Sequence, residues 1–281
     1  MRAELIVVPF DSGLRETRMG RGPNRLLELG LGERLHALGA DVEIHHVEPP
    51  QATFPSEIRM AHELHRAVAT AVSSALERKS FPLVLAGNCN TAVGVLAGMQ
   101  TANHVSPAVC WFDAHADFNT PETTIGGFLD GMAVSMIAGR CWRELIAQVP
   151  GFVPIPEAQI LMIGTRDIDP LERELVEASA IRIAGRPADI RADVDAIVAS
   201  AKTIDSYLHL DLDSIDASEG SANVFAVAGG ITRSELLACV DTIGARSRVR
   251  AATISAYDPE CDSDGRIGRI AIEIAARLLS A

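Results

Sequence analysis

Residues 109–119 read VCWFDAHADFN and join an apolar run to a cluster of carboxylates around a histidine. The first four residues have the β-branched and aromatic character of a buried strand. Directly after them, Asp113, His115 and Asp117 alternate with alanine, and in an extended segment such alternation points the three side chains to one side. Ligands of open α/β sheets bind beyond the carboxyl ends of the strands. The stretch therefore predicts a ligand site at the end of a strand.

A second acidic cluster, Asp211 and Asp213, follows the apolar run at residues 207–210, and Asp216 lies close by. A lone Asp-x-Asp after a strand is equally well explained as a turn or a helix cap. Two such clusters at strand ends would repel each other unless cations lie among them. Four carboxylates and one histidine carry more negative charge than one ion usually attracts, so we predict two divalent ions. Mixed carboxylate and imidazole ligation suits Mn²⁺, with Ni²⁺, Zn²⁺ or Fe²⁺ as alternatives.

Short apolar runs alternate with longer helical patterns along the whole chain. The predicted strands include residues 5–8, 83–86, 109–112, 160–163, 208–210 and 252–254. The predicted helices include residues 23–38, 57–77, 169–178, 193–201, 233–243 and 267–279. This alternation predicts a three-layer α/β/α fold with a central, mostly parallel sheet. Pro49-Pro50 and the proline-rich segment 150–156 are predicted to be surface loops, and residues 1–281 are expected to form a single domain.

The composition excludes several classes of function. The net charge of −12 argues against a sequence-independent nucleic-acid binder, which needs basic stripes. No stretch approaches the roughly 20 apolar residues of a membrane span, and the first residues lack the features of a secretory signal. The five cysteines are odd in number and contain no Cys-x-x-Cys, so neither a disulfide framework nor a zinc ribbon is indicated. We therefore expect a cytoplasmic protein.

The two clusters together resemble the ureohydrolase family of arginases, agmatinases and formimidoylglutamases. The resemblance rests on the Asp-Ala-His-Ala-Asp-Phe-Asn motif at residues 113–119 and the later Asp-Leu-Asp at 211–213, and it extends over nearly the whole chain. Weaker matches are the Gly-Pro turn at 20–23, the Gly-Asn-Cys-Asn segment at 87–90 and the Arg-Asp-Ile-Asp segment at 166–169. The resemblance implies an arginase-like fold and metal-dependent hydrolysis of a C–N bond in a guanidino or amidine group.

The resemblance also implies a role for each residue of the two clusters. Asp113 and Asp211 would bridge both ions, His115 and Asp213 would complete one site, and Asp117 would complete the other. Water activated by the ions would attack the planar carbon of the substrate. Asp117 would accept the proton of that water and pass it to the departing amine.

Three positions depart from the family pattern. Cys89 stands where the family usually has a metal-ligating histidine, so the thiolate either ligates a softer ion or merely fills space. Asp130 stands where arginases have a histidine near the leaving group, and it either shuttles a proton, binds a cationic substrate or is a loop residue. Ala256 stands where arginases have the glutamate that grips the guanidinium, which argues against ordinary arginase activity.

Four further residues match the positions where arginases hold the amino-acid end of their substrate. They are Asn119, Thr124, Asp169 and Glu172. Asp169 and Glu172 also fit the start of a helix, with a cap, a proline at the first position and acids in the first turn. Cys89 together with these segments looks most like the branch that hydrolyses N-hydroxyarginine. The resemblance further implies a small-molecule substrate and a trimeric or hexameric assembly.

Two alternatives to this function remain open. One is a formimino- or guanidino-acid hydrolase with a different pocket for the tail of the substrate. The other is a catalytically altered paralogue that binds metal or acts through a partner, which the departures at Cys89, Asp130 and Ala256 favour.

Overall fold

The computed structural model of the protein describes residues 1–48, 56–184 and 189–280. Pro49-Pro50, predicted to be a surface loop, lies outside these ranges. Segment 150–156 is the loop that was predicted. In the described part of the chain, no helix has the length and apolar character needed to cross a membrane.

The strands of the structure form one large sheet and a small hairpin. In chain order they are β1 (Arg2–Val8), β2 (Phe10–Asp11), β3 (Leu14–Arg15), β4 (Asp41–His46), β5 (Phe81–Ala86), β6 (Ala108–Phe112), β7 (Ile160–Ile163), β8 (Arg182–Ile183), β9 (Asp205–Asp211) and β10 (Arg248–Ser255). The large sheet has the order β4-β1-β5-β10-β9-β6-β7-β8, and its pairings are parallel. The predicted parallel sheet is confirmed.

Helices cover both faces of this sheet. They are α1 (Gly22–Glu28), α2 (Leu31–Ala37), α3 (Glu57–Glu77), α4 (Ala92–Asn103), α5 (Ala133–Ile137), α6 (Arg143–Ile146), α7 (Pro170–Glu177), α8 (Arg191–Ala201), α9 (Arg233–Arg246) and α10 (Arg266–Ser280). Alternate residues of the strands supply two separate cores. One core packs against α3, α4 and α5, and the other packs against α1, α2, α8, α9 and α10. The protein therefore has the predicted three-layer α/β/α architecture.

The structure differs from the sequence-based expectation in a few elements. The single helix predicted at 23–38 is two helices, because Gly30 between them has a left-handed backbone with φ of 93°. Helix α4 was not predicted, since it is buried on almost every side and so shows no amphipathic period. Strands β4 and β8 were also not predicted. Both are edge strands whose residues are mostly exposed, so they lack the apolar run that marks a central strand.

Candidate metal centre

The side chains of the candidate site come from the carboxyl ends of four adjacent central strands. Cys89 follows β5, Asp113 directly follows β6, Asp211 ends β9, and Ser255 ends β10. Because these strands are parallel, their carboxyl ends lie at the same edge of the sheet. The edge bounds a cavity of about 190 Å³, which is lined by most of the predicted site residues.

Two groups of potential ligand atoms overlap at this edge. Cys89, Asp113 and Asp117 form one group, and Asp113, His115 and Asp213 form the other. Within each group, one atom from every side chain lies within 4.8 Å of the others. Asp113 belongs to both groups, as a ligand shared between two ions must.

Asp211 lies beside both groups. Its Oδ2 accepts a hydrogen bond from the Cys89 thiol at 3.0 Å, and its Oδ1 accepts one from the backbone N–H of Asp213 at 2.8 Å. Asp216, which the sequence places nearby, instead accepts hydrogen bonds from the backbone N–H groups of Ser218 and Gly230. Asp211 thus lies between the two groups, whereas Asp216 stabilises a loop.

The convergence of Asp113, His115 and Asp117 does not come from strand alternation, as the sequence analysis assumed. Strand β6 ends at Phe112, and Asp117 has a left-handed backbone with φ of 50°. Aspartate tolerates this conformation better than most residues do. The segment therefore turns at Asp117 and aims its carboxylate at Asp113.

The carboxylates of this cluster are buried in a strongly negative environment. Burial, followed by the charges of Asp113, Asp130 and Asp211, raises the pKa of Asp117 well above its ordinary value. Burial and the charges of Asp213 and Asp113 do the same to the pKa of Asp211. A raised pKa means that the charged form lacks compensation from the surrounding protein. The cluster therefore favours positive charge among its oxygens.

His115 and Asp213 show the complementary effect. The Nδ1 of His115 lies 3.4 Å from Asp113 Oδ1 and 3.4 Å from Asp213 Oδ2. Burial opposes a charged imidazole, but the two hydrogen-bonded carboxylates raise the pKa of His115 to about 12. Likewise, burial opposes a charged Asp213, but its hydrogen bond to His115 lowers its pKa. The ring nitrogen that faces these carboxylates is thus placed to bind a cation together with them.

A buried polar chain, which the sequence analysis missed, lies behind Cys89. The Sγ of Cys89 lies 3.2 Å from Ser255 Oγ, which lies 3.0 Å from His209 Nε2. The Nδ1 of His209 lies 2.9 Å from the Tyr207 hydroxyl, and the ring stacks on Trp111 with 3.6 Å between centroids. Polar residues at alternate positions of an otherwise apolar strand were the available signal. Burial raises the pKa of the Cys89 thiol well above its ordinary value, and the charge of Asp211 adds to the effect.

Asp130 lies on the cavity wall and is held by asparagines. Its Oδ1 accepts hydrogen bonds from the Asn90 backbone N–H at 2.8 Å and from the Asn90 side chain at 3.0 Å. Its Oδ2 accepts one from the Asn88 side chain at 2.9 Å. Burial raises the pKa of Asp130 to about 7 against the effect of these donors. Asn88 and Asn90 are site residues whose role was not visible in the sequence.

The four predicted substrate-binding residues lie together on another part of the wall. Glu172 is buried and accepts hydrogen bonds from the backbone N–H groups of Phe118 at 2.7 Å and Asp169 at 3.2 Å. Asp169 caps α7 in a capping box with Glu172, and it accepts a hydrogen bond from the side chain of Asn119 at 3.3 Å. Thr124 lines the same cavity and accepts a hydrogen bond from Gly127. The expected helix-cap role of Asp169 and Glu172 is confirmed, and both also line the cavity.

The sequence of this chain is similar to those of known proteins over nearly its whole length. A model described as the arginase family matches residues 1–280. The arginase of Bacillus subtilis is 27% identical over 290 residues, covering 98% of this chain and 96% of that protein. The arginase of Bacillus caldovelox is 28% identical over 291 residues, with 98% and 96% covered.

Solved structures agree with the family match. The native structure of arginase from Bacillus caldovelox superposes with a TM-score of 0.87 at 26% identity, covering 100% of this chain and 98% of that one. An arginase structure from Bacillus subtilis superposes with a TM-score of 0.85 at 26% identity, covering 100% and 99%. The similarity therefore extends over the whole fold and includes the edge of the sheet that bears the cavity.

Proposed function

The chain belongs to the arginase family of hydrolases that cleave C–N bonds of linear amidines, and from this premise we propose that it uses two divalent ions to hydrolyse a guanidino or amidine group on a small amino-acid-like substrate. N-hydroxyarginine is the first candidate substrate. The observation that supports the proposal most strongly is the pair of ligand groups that share Asp113. A buried site with this donor set is suited to two cations rather than one.

The ligands divide between the two ions as follows. Cys89, Asp113, Asp117 and Asp211 would hold one ion, and Asp113, Asp211, His115 and Asp213 would hold the other. The predominance of carboxylate oxygens favours Mn²⁺, while the thiol of Cys89 would add preference for a softer ion such as Zn²⁺. The raised pKa of Asp117 and Asp211 supports this assignment, because each carboxylate gains the positive charge that it lacks in the surrounding protein. When bound, the ions activate water and polarise the substrate.

The chain's own acids move the protons of the reaction. Asp117 accepts a proton from the attacking water and returns it to the amine that leaves. Asp130 has a pKa raised to about 7 by burial, so that it can hold or release a proton near neutral pH. Asn88 and Asn90 fix its carboxylate on the cavity wall.

The substrate is oriented by the polar part of the cavity wall. Asn119, Thr124, Asp169 and Glu172 would bind the amino-acid end of the substrate, and the acids among them favour an ammonium group. Asp169 and Glu172 are themselves immobilised by the capping box at α7. A substrate held by such preorganised groups loses little further entropy when it reaches the reacting geometry.

Ala256 supports a second candidate function. It lines the cavity where the resemblance to arginases predicts a glutamate, so the carboxylate that binds the guanidinium in an ordinary arginase is missing there. A formimino- or guanidino-acid hydrolase with a different tail pocket is consistent with this change. So is a paralogue that binds metal without turnover and acts through a partner.

A substrate screen separates these candidates. The purified protein is loaded with Mn²⁺, Ni²⁺ or Zn²⁺ and given N-hydroxyarginine, arginine, agmatine, guanidino acids or formiminoglutamate. We expect release of the amine and of urea, or hydroxyurea, from a guanidino substrate, and no release by Asp113→Asn. Turnover of formiminoglutamate alone would favour the second hydrolase, and no turnover with less than one ion per chain would favour the non-enzyme. Assembly into trimers or hexamers, a single-domain chain and a cytoplasmic location remain predictions.

A further inference from the structure

The cavity has apolar as well as acidic lining residues. Met19, Phe128, Phe225 and Ala256 line it together with the acidic cluster. Met19 and Ala256 are buried, whereas Phe225 is 38% exposed at the mouth. An apolar wall beside a charged cluster gives the cavity two chemically distinct halves.

The apolar wall continues outward as a rim on two loops. Ile125 is 79% exposed and Val224 is 73% exposed, and the residues on either side of each line the cavity. The rings of Phe128 and Phe225 lie 5.5 Å apart with an angle of 27° between their planes. Ile125 and Val224 thus expose apolar surface beside residues that line the cavity, and exposed apolar surface of this kind commonly marks a binding site. Their position around the mouth indicates that whatever enters the cavity covers them.

The acidic part of the cavity selects for positive charge. Its described lining contains seven carboxylates and one histidine, and no lysine or arginine. Two divalent ions would balance part of this charge, and the charge of Asp167, which belongs to neither ligand group, remains. A ligand that satisfies both halves has a cationic head and an apolar body.

The loop with Phe225 is held in place rather than free. The Arg166 guanidinium donates hydrogen bonds to the carbonyl oxygens of Val227 at 2.8 Å and Asp213 at 3.0 Å, which ties this loop to the end of β9. The Oδ1 of Asn223 accepts a hydrogen bond from the Phe225 backbone N–H at 2.8 Å, and its Nδ2 donates one to the Ala256 carbonyl at 2.9 Å. A ring positioned in this way costs little entropy when a ligand packs on it.

We propose that Phe128 and Phe225 determine substrate specificity by packing against an aromatic ring on the guanidine or amidine that the ions bind. This inference rests on the proposed function, because the head of the substrate must lie at the acidic cluster. The preferred substrates are then amino-acid-like guanidines that also carry an aryl group, and arylalkylguanidines are the simplest probes of this aryl site. Hydrolysis of benzylguanidine, for example, adds one water and breaks the bond between the central carbon and the substituted nitrogen. The products are urea and benzylamine.

The test compares two guanidines with the same head. Binding of methylguanidine and benzylguanidine to the Mn²⁺-loaded protein is measured by calorimetry. We expect benzylguanidine to bind at least about tenfold more tightly, since burial of a ring gives a gain of this order. In Phe225→Ser and in Phe128→Ser the ratio of the two affinities should fall below about threefold. Val153→Ser, which removes an exposed apolar side chain outside the cavity, should leave the ratio unchanged.

Two results would overturn the inference: an affinity ratio near one in the unaltered protein, or an unchanged ratio in both phenylalanine variants. Failure of benzylguanidine to bind the Mn²⁺-loaded protein would also overturn it. Urea release is measured in the same samples. Turnover of methylguanidine with a ratio near one would leave the proposed hydrolysis intact and remove only the aromatic specificity. A high ratio without turnover of any guanidine would support the aromatic specificity and contradict the proposed hydrolysis.

Discussion

Two acidic regions line the same cavity, and they differ in what neutralises them. The carboxylates of Asp169 and Glu172 accept hydrogen bonds from backbone N–H groups at the start of α7 and at Phe118, which offset part of the burial that raises the pKa of Glu172. The carboxylates of Asp117 and Asp211 are buried among other carboxylates, and their pKa values are raised well above the ordinary range. The same residue type therefore supports a helix in one region and requires cations in the other.

Substitution of Asp113, the ligand that both ions would share, should have the largest effect on metal content and catalysis. In Asp113→Ala we expect less than one ion per chain and a loss of at least about a thousandfold in kcat/KM, because the metal contribution to catalysis amounts to several kcal/mol. Metal content by mass spectrometry and initial rates provide the measurement. Asp216→Ala is the matched control, since Asp216 follows the second acidic cluster in sequence but accepts hydrogen bonds from the loop residues Ser218 and Gly230. Retention of two ions by Asp113→Ala would contradict the assignment.

When a chelator removes the metal, repulsion among the carboxylates of the cluster should make the free energy of unfolding depend on pH. The raised pKa of Asp130 contributes stability that is complete below its ordinary value of 3.8 and is lost as the pH rises through about 7. The contribution of His115 is complete below 6.5 and is lost as the pH rises toward about 12. From about pH 5 to pH 8, the chelated protein should therefore lose about 3–5 kcal/mol of unfolding free energy.

The metal-loaded protein should behave in the opposite way over the same range, because deprotonated ligands bind metal more tightly. Urea unfolding with chelator and with excess Mn²⁺ makes the comparison. Parallel stability curves in the two conditions would show that the cluster does not depend on cations.

Replacement of the Cys89 thiol should have an intermediate effect, which concerns the affinity for each metal. Cys89 lies in one ligand group and contacts Asp211, so Cys89→His should raise the affinity for Mn²⁺ by about tenfold and weaken the preference for softer ions. Titration with each metal measures the change. Cys261→Ser, which alters a half-buried cysteine away from the cavity lining, should have no effect. Equal metal affinities in the Cys89→His variant and the unaltered protein would place the thiol outside the metal site.

The smallest expected effect concerns the carboxylate of Asp169 at the start of α7. Helix α9 begins with a similar capping box at Thr232 and Glu235, away from the cavity. Asp169→Ala and Thr232→Ala should each lower the free energy of unfolding by about 1 kcal/mol, because each loses a helix cap. Only Asp169→Ala should also raise KM. An identical KM in both variants would restrict Asp169 to its structural role.

The parts of the site that follow directly from strands could be predicted from sequence. Asp113 and Asp211 each stand at the end of an apolar run, and parallel strands bring such ends to one edge. Contacts between distant loops could not be predicted, because nothing local encodes them. Asn88 and Asn90 hold Asp130 across 40 or more residues, and the stacking of Phe128 on Phe225 joins two irregular loops.

Close packing beneath the site was equally hidden from the sequence. A Cβ added at Gly87 would lie 2.2 Å from the Phe10 carbonyl oxygen, so this position admits only glycine. The local sequence shows a glycine between a strand and a polar segment, which is common at strand ends. The neighbour that forbids a side chain lies on a hairpin far earlier in the chain.

The most direct measurement is the number of metal ions bound to protein that has never been exposed to a chelator. We expect two transition-metal ions per chain after dialysis against Mn²⁺, since cations compensate the negative charge of a cluster this acidic and this buried. A protein that contained none and took up none would show that the fold tolerates the buried carboxylates unaided, and the proposed hydrolysis would lose its physical basis.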